Sequence, residues 1–75
     1  MNELEIWKKL PTKVQMYIYD DFEELAIRLF VTKEVIMCNF KRKGKREKLG
    51  DFTSAFIRES ICNGKEITKE EYDKL

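Results

Sequence analysis

Histidine is absent from this sequence of 75 residues, and cysteine, proline and glycine are scarce, with two, one and three residues. Without histidine, no Ser-His or Cys-His nucleophile pair can form, and the commonest protein ligand for zinc and iron is missing. Two cysteines cannot complete a four-cysteine metal site, and no GxxxxGK[ST] or GxGxxG segment is present to bind phosphate. The adjacent carboxylates of Asp20-Asp21 and Glu23-Glu24 would point in different directions on a helix. We therefore expect no enzymatic activity, no metal site and no cofactor.

Long apolar runs are also lacking, since none approaches the roughly 18 residues that would suggest a membrane span. The N-terminal segment MNELEIWKKL carries acidic residues early and lacks the basic-then-apolar order of a signal peptide. We therefore expect a cytoplasmic protein, or a nucleoid or nuclear one if it binds nucleic acid. Cys38 and Cys62 both follow apolar residues, and we expect two buried free thiols.

The composition indicates a packed but highly charged domain, with 43% hydrophobic and 39% charged residues. The few proline and glycine residues provide too few turn signals for an all-β fold of this length. No linker or internal repeat divides the chain. We therefore predict one all-α domain over residues 1–75, a small bundle of four or five short helices. The alternative is an α+β fold with a small strand element near residues 35–41.

Capping signals predict a short helix at the N-terminal end of the chain. Asn2 is placed to cap a helix over residues 2–10, and acidic residues in its first turn suit the helix dipole. Leu4, Trp7 and Leu10 fall on one face of this helix. Pro11 ends the helix, because the residue before a proline disfavours helical backbone angles.

Similar signals predict two helices in the C-terminal third. One begins at Asp51 or Thr53 and ends at Asn63, with Gly64 able to adopt a left-handed cap conformation. The other covers residues 69–75 and has the best capping signal in the chain, because Thr68 and Glu71 form a capping box.

Residues 12–30 show the clearest helical period in the sequence. Apolar side chains recur there at spacings of three and four, at Val14, Ile18, Phe22, Leu25 and Leu29. The capping signals leave open whether this segment is one helix or two with a break near Asp20-Asp21. Residues 33–43 are predicted as a further helix capped by Thr32, with a strand as the competing interpretation because VIMCNF is short and apolar.

Residues 24–43, ELAIRLFVTKEVIMCNFKRK, resemble the helix-turn-helix of bacterial and phage repressors. Ala26 stands where that motif has a small residue, whereas Phe30 stands where its turn usually has glycine. Four apolar residues fall at the buried positions of the motif: Leu25, Leu29, Val31 and Ile36. The resemblance implies a DNA-binding regulator or accessory factor whose second helix reads bases in the major groove. The residues at the start and on the exposed face of that helix would be Thr32, Lys33, Glu34, Met37 and Lys41.

Positive charge is concentrated directly after this segment. Residues 41–48, KRKGKREK, contain six of the 15 basic residues and one of the 14 acidic residues, a local net charge of +5. Such asymmetry is typical of a contact with phosphate backbone. The residues expected to contact the DNA backbone are Arg42, Lys43, Lys45, Arg46 and Lys48. Because one module of this size makes few contacts, we expect a homodimer on paired half-sites of duplex DNA.

A protein partner is the alternative. Outside residues 41–48 the chain has a net charge of −4, and this acidic body would repel DNA unless it faced away. The two hypotheses require different surfaces. A DNA-binding protein needs Lys33, Lys41 and the following basic residues on one exposed face, whereas a docking protein needs an exposed apolar or aromatic patch with a polar rim.

Overall fold

The computed structural model describes residues 1–10 and 14–75 and has an α+β fold. The described residues form three short helices and five strands: α1 (Glu3–Lys9), β1 (Met16–Asp20), β2 (Leu25–Thr32), β3 (Val35–Arg42), β4 (Lys48–Gly50), α2 (Ala55–Asn63), β5 (Lys65–Ile67) and α3 (Lys69–Asp73). The strands form one antiparallel sheet in the order β4-β3-β2-β1-β5. The predicted all-α bundle is therefore wrong, and the α+β alternative with a strand near residues 35–41 agrees with β3.

The segment predicted as a central helix forms β1 and β2 instead. Its β-branched and aromatic residues favour strands, and a spacing of four, as between Leu25 and Leu29, is also a multiple of the two-residue strand period. Both faces of the sheet are covered at β1, so Met16, Tyr17 and Ile18 are buried in succession and the alternation typical of a half-buried strand is lost. The predicted end of the first helix at Pro11 and the first residues of the central helix lie outside the described residues.

A tight hairpin stands where the helix-turn-helix was predicted. Strands β2 and β3 pair along their full length, from Leu25 opposite Arg42 to Thr32 opposite Val35. Lys33 and Glu34 connect them with positive φ angles of 52° and 65°, the pattern of a two-residue type I′ turn. Neither residue is one of the usual Asn, Asp or Gly residues of such turns, so the sequence carried no hairpin signal at this point.

The main core lies between one face of the sheet, which we call the first face, and helices α1 and α2. Ile6 on α1, Leu10 directly after it, and Ile57 and Ile61 on α2 pack against buried strand residues there. Of the face that Leu4, Trp7 and Leu10 share, Leu10 is buried, whereas Leu4 is exposed and Trp7 is 40% exposed. The helix itself and its Asn2 cap are confirmed, since the Asn2 side chain accepts a hydrogen bond from the Glu5 backbone N–H at 2.9 Å.

Helix α2 ends against β1 through a close backbone approach. Gly64 has an extended conformation, with φ at −86°, so the predicted left-handed cap is wrong. A Cβ atom at this position would lie 2.6 Å from Cγ2 of Ile18 and 2.9 Å from the backbone oxygens of Tyr19 and Ser60. Glycine is therefore required here because the chain approaches β1 too closely for a side chain.

Helix α3 covers part of the second face of the sheet. The predicted capping box is confirmed, because the Thr68 hydroxyl accepts from the Glu71 N–H and the Glu71 carboxylate accepts from the Thr68 N–H. This cap places Tyr72 against Tyr17, with 5.0 Å between the ring centroids. Within the described residues, no helix has the length and apolar character needed to cross a membrane.

Candidate functional site

The structure separates most of the residues predicted to read DNA from those predicted to contact its backbone. Thr32 ends β2, Lys33 and Glu34 form the turn, and Met37 is half-buried on β3. Lys41 and the five backbone-contact residues lie at the other end of β3: Arg42, Lys43, Lys45, Arg46 and Lys48. Since β3 has eight residues, at about 3.3 Å per residue the turn lies about 25 Å from the basic end of the strand, and Met37 lies between them. The recognition helix that would have joined them is absent.

The basic residues gather at the end of the β3–β4 hairpin, around a small cavity of about 90 Å³ beside Phe40. Two of these cations already have partners within the protein. The Lys41 ammonium lies 4.3 Å from the centroid of the Tyr72 ring, and Arg42 contacts both the carboxylate and the backbone oxygen of Glu23. At the hairpin end, Lys41 and Arg42 therefore contact other parts of the fold, and the remaining cations are exposed to solvent.

Glu47, the single acidic residue in this basic run, points away from the exposed cations. Its carboxylate accepts hydrogen bonds from the Arg28 guanidinium at 2.7 and 3.0 Å, from the Asn39 amide at 2.9 Å and from the Tyr72 hydroxyl at 2.6 Å. The Arg28 guanidinium, together with Tyr72 and Asn39, lowers the pKa of Glu47 to about 2. Burial raises the pKa of Tyr72, and its hydrogen bond to Glu47 raises it further. Glu47 thus connects β2, β3 and α3.

A second site lies at the turn between β1 and β2. Asp20 ends β1, and its Oδ1 accepts a hydrogen bond from the Phe22 N–H at 3.1 Å, which shapes the turn. The turn consequently projects the Phe22 side chain, which is 86% exposed. This is unusual for a large aromatic side chain in a small domain, where such residues normally supply the core.

The Phe22 ring borders a cavity of about 160 Å³ between this turn and α2. Phe56, on α2 and 44% exposed, also lines it. The remaining walls are polar, with three carboxylate residues, a hydroxyl and an amide: Asp20, Glu23, Glu59, Ser60 and Asn63. We call this feature the acidic aromatic cavity. None of its lining residues is basic, although Arg42 pairs with Glu23 at 3.9 Å from outside.

Asp20 is the least accessible carboxylate of this cavity, at 1% exposure. Its Oδ2 atom has no hydrogen-bond partner among the described residues. Ser60, the other buried polar residue that lines the cavity, lies on α2. A cavity with aromatic edges, excess negative charge and an unused carboxylate oxygen is suited to a cationic group.

Sequence reasoning missed this cavity because it placed Phe22 in the apolar stripe of a helix. The available signal was the run of acidic residues around Phe22, which breaks the apolar period of residues 12–30 at Asp20-Asp21. Comparison with models of known protein families, with curated protein sequences and with solved structures gives no match for this chain. Among residues 1–10 and 14–75, no group of three or more potential metal ligands comes together.

Proposed function

We propose that this protein is a small protein-binding module that docks on a basic surface of its partner through the acidic aromatic cavity. The observation that carries the proposal is the exposure of Phe22 and Phe56 at the edges of a cavity with carboxylates in its walls. Aromatic side chains are enriched at protein interfaces, where they supply large contact area at low entropic cost. Surface carboxylates add electrostatic steering toward a basic partner.

The arrangement meets the surface requirement of a docking protein better than that of a DNA-binding protein. Lys33 lies at the opposite end of β3 from Arg42, so the cations do not form the single face that DNA recognition would require. Phe22 and Phe56, by contrast, form an exposed aromatic edge with a polar rim. This contrast favours a protein partner over duplex DNA.

Site-specific photocrosslinking tests the proposal. A benzoylphenylalanine placed at Phe22 or Phe56 preserves an aromatic ring at the cavity, whereas the same group at Val14, which is 90% exposed, lies outside it. After nuclease treatment of a host extract, we expect one discrete protein adduct from positions 22 and 56 and none from position 14. The yield should fall as salt is raised, because exposed charges are screened.

Equal adducts from all three positions would contradict the proposal, since they would indicate contact without a defined surface. Adducts that disappear after nuclease treatment would also contradict it, because they would indicate that nucleic acid holds the partner. A matched variant, Lys45→Gln with Arg46→Gln, removes two exposed cations of the hairpin end and should leave the adduct from position 22 unchanged.

A further inference from the structure

The acidic aromatic cavity contains a carboxylate that the fold itself does not explain. Asp20 is almost completely buried, one oxygen accepts from the Phe22 N–H, and the other has no partner among the described residues. Burying a charged group without compensation is costly, and nearly all buried polar atoms in proteins are hydrogen-bonded. Asparagine could accept the same bond from Phe22 without carrying a charge. The turn therefore requires an acceptor at this position, but not an acid.

We propose that the Asp20 carboxylate binds the guanidinium group of an arginine side chain on the partner protein. This inference rests on the proposed function, and it assigns the chemical group that the cavity recognises. The unused Oδ2 would accept from the guanidinium, which completes the hydrogen bonding of the buried carboxylate. Charge-assisted bonds of this kind are among the strongest polar contacts in proteins.

The surroundings of Asp20 favour a guanidinium over an ammonium group. A guanidinium is planar, so it can lie against the face of an aromatic ring while its edge donates to a carboxylate. Phe22 and Phe56 provide such rings, and Glu59 adds negative charge at the walls, whereas Glu23 already pairs with Arg42. An ammonium is compact and strongly hydrated, and it gains less from this combination of ring and carboxylate.

The Phe22 ring lies at the edge of the cavity and can move without disturbing the turn. Because its side chain is 86% exposed, rotation of the ring loses little packing. The backbone N–H of Phe22 remains bonded to Asp20 during such a rotation, since only the side chain moves. The ring can therefore pack on a guanidinium that enters the cavity.

Titration with short peptides tests this inference without knowledge of the partner. The probes are Ac-Ala-Arg-Ala-NH2 and its citrulline and lysine counterparts, and amide resonances are followed by NMR. Citrulline has nearly the shape of arginine but no charge. We expect the arginine peptide to shift the amide resonances of Phe22, Ser60 and Asn63, with saturation in the millimolar range. The citrulline peptide should produce no saturable shift, and the lysine peptide should bind several-fold more weakly.

Two substitutions locate the binding at Asp20. Asp20→Asn keeps the acceptor for the Phe22 N–H and should weaken arginine-peptide binding about tenfold or more, the usual effect of removing a hydrogen bond to a charged group. Glu24→Gln removes the same charge from an exposed residue of the same turn that does not line the cavity, and should change binding less than twofold. Phe22→Leu, at an exposed position, should weaken binding a few-fold through loss of the ring.

Each remaining outcome identifies which proposal fails. If citrulline or lysine peptides bind as well as the arginine peptide, or if Asp20→Asn binds normally, the assignment of the guanidinium is overturned. The photocrosslinks from positions 22 and 56 would then still stand, because they depend only on the exposed surface. Loss of those crosslinks together with retained arginine binding would overturn the proposed docking function and leave the guanidinium site.

Discussion

Asp20 is almost completely buried, yet one of its carboxylate oxygens has no hydrogen-bond partner among the described residues. Residues that function requires are often kept at the expense of stability, because the native state is not selected to be as stable as possible. The same carboxylate organises the β1–β2 turn through the Phe22 N–H. Its two oxygens thus have separate roles, one structural and one available to a ligand.

Replacement of this carboxylate should make the free protein more stable. Asp20→Asn retains the acceptor for Phe22 and removes a buried, unpaired charge. We expect the free energy of unfolding to rise by about 1 kcal/mol, because an unsatisfied amide is less costly to bury than a charged carboxylate. Urea denaturation measures this change. Asp21→Asn, at the exposed neighbour, should have no effect, and a destabilised Asp20→Asn protein would indicate that the charge supports the fold.

The two cysteines occupy different environments, so the expectation of two buried thiols is wrong for one of them. Cys38 is buried in the core, whereas Cys62 is exposed near the end of α2. Burial, together with the nearby Asp51 carboxylate, raises the pKa of the Cys38 thiol to about 11. The apolar residue that precedes each cysteine did not reveal this difference in burial, because on a helix the residue following a buried one can point to solvent.

Thiol reactivity should distinguish these residues. At about pH 8, we expect one thiol of the native protein to react rapidly with a disulfide reagent and the second only after unfolding, because the thiolate is the reactive form. The Cys62→Ser variant should lose the rapid phase, while Cys38→Ala should retain it. Rapid reaction of two equivalents in the native protein would show that Cys38 is accessible.

Within the elements of the fold, the β2–β3 hairpin has its least favourable backbone at its turn. Lys33 and Glu34 both have positive φ angles, although neither is glycine, asparagine or aspartate. Such a conformation costs roughly 1–2 kcal/mol for an ordinary L-residue, because Cβ approaches a carbonyl oxygen. The long pairing of β2 with β3 holds the turn in this conformation. The register of β2 against β3 is therefore determined by the pairing of the strands and not by the residue types in the turn.

Asn-Gly at this turn should therefore stabilise the protein. We expect Lys33→Asn with Glu34→Gly to increase the free energy of unfolding by about 1 kcal/mol, since these residues adopt type I′ turns with little strain. Lys33→Gln with Glu34→Gln removes the charges but retains ordinary side chains, and it should leave stability nearly unchanged. Thermal or urea denaturation of both variants provides the comparison. If both gain equally, the turn was destabilised by charge and not by its backbone.

Across the whole molecule, Glu47 links elements that are distant in sequence. It receives hydrogen bonds from Arg28 on β2, Asn39 on β3 and Tyr72 on α3. Because these contacts lower its pKa to about 2, Glu47 stabilises the folded state fully above its ordinary pKa near 4.5. That contribution is lost as the pH falls from about 4.5 toward 2.

The Glu47→Gln variant should reveal this linkage as a pH-dependent loss of stability. We expect it to be less stable than the parent protein by about 1 kcal/mol near pH 7, a modest value because solvent screens a partly exposed pair. The difference should shrink toward zero near pH 2, where the parent also loses the charge. Urea denaturation across this range, with Glu34→Gln as a control at an exposed turn, measures it. A difference independent of pH would show that Glu47 contributes by packing and not by charge.

The local sequence determined several helix ends of this protein, although α2 begins at Ala55 after a Ser54 cap and not at the predicted Asp51 or Thr53. The Asn2 cap, the Thr68–Glu71 capping box and a helix ending at Asn63 were predicted and agree with the structure. Caps depend on side chains that bond to the backbone within three residues, so a short sequence window contains the required information. The concentration of cations in residues 41–48 was likewise evident from the sequence alone.

Tertiary structure decided between helix and strand for the middle of the chain, and with it the location of the candidate site. An apolar spacing of four agrees with both periods, and only pairing within the sheet makes β1 and β2 strands, whose two faces the helices then cover. That choice moved Phe22 from a predicted apolar stripe to an exposed turn and brought Asp20 beside Phe56 on α2. It also turned Glu47 toward Arg28 and away from the neighbouring cations. These contacts join residues far apart in the sequence, and long-range pairing is the information that a local pattern does not contain.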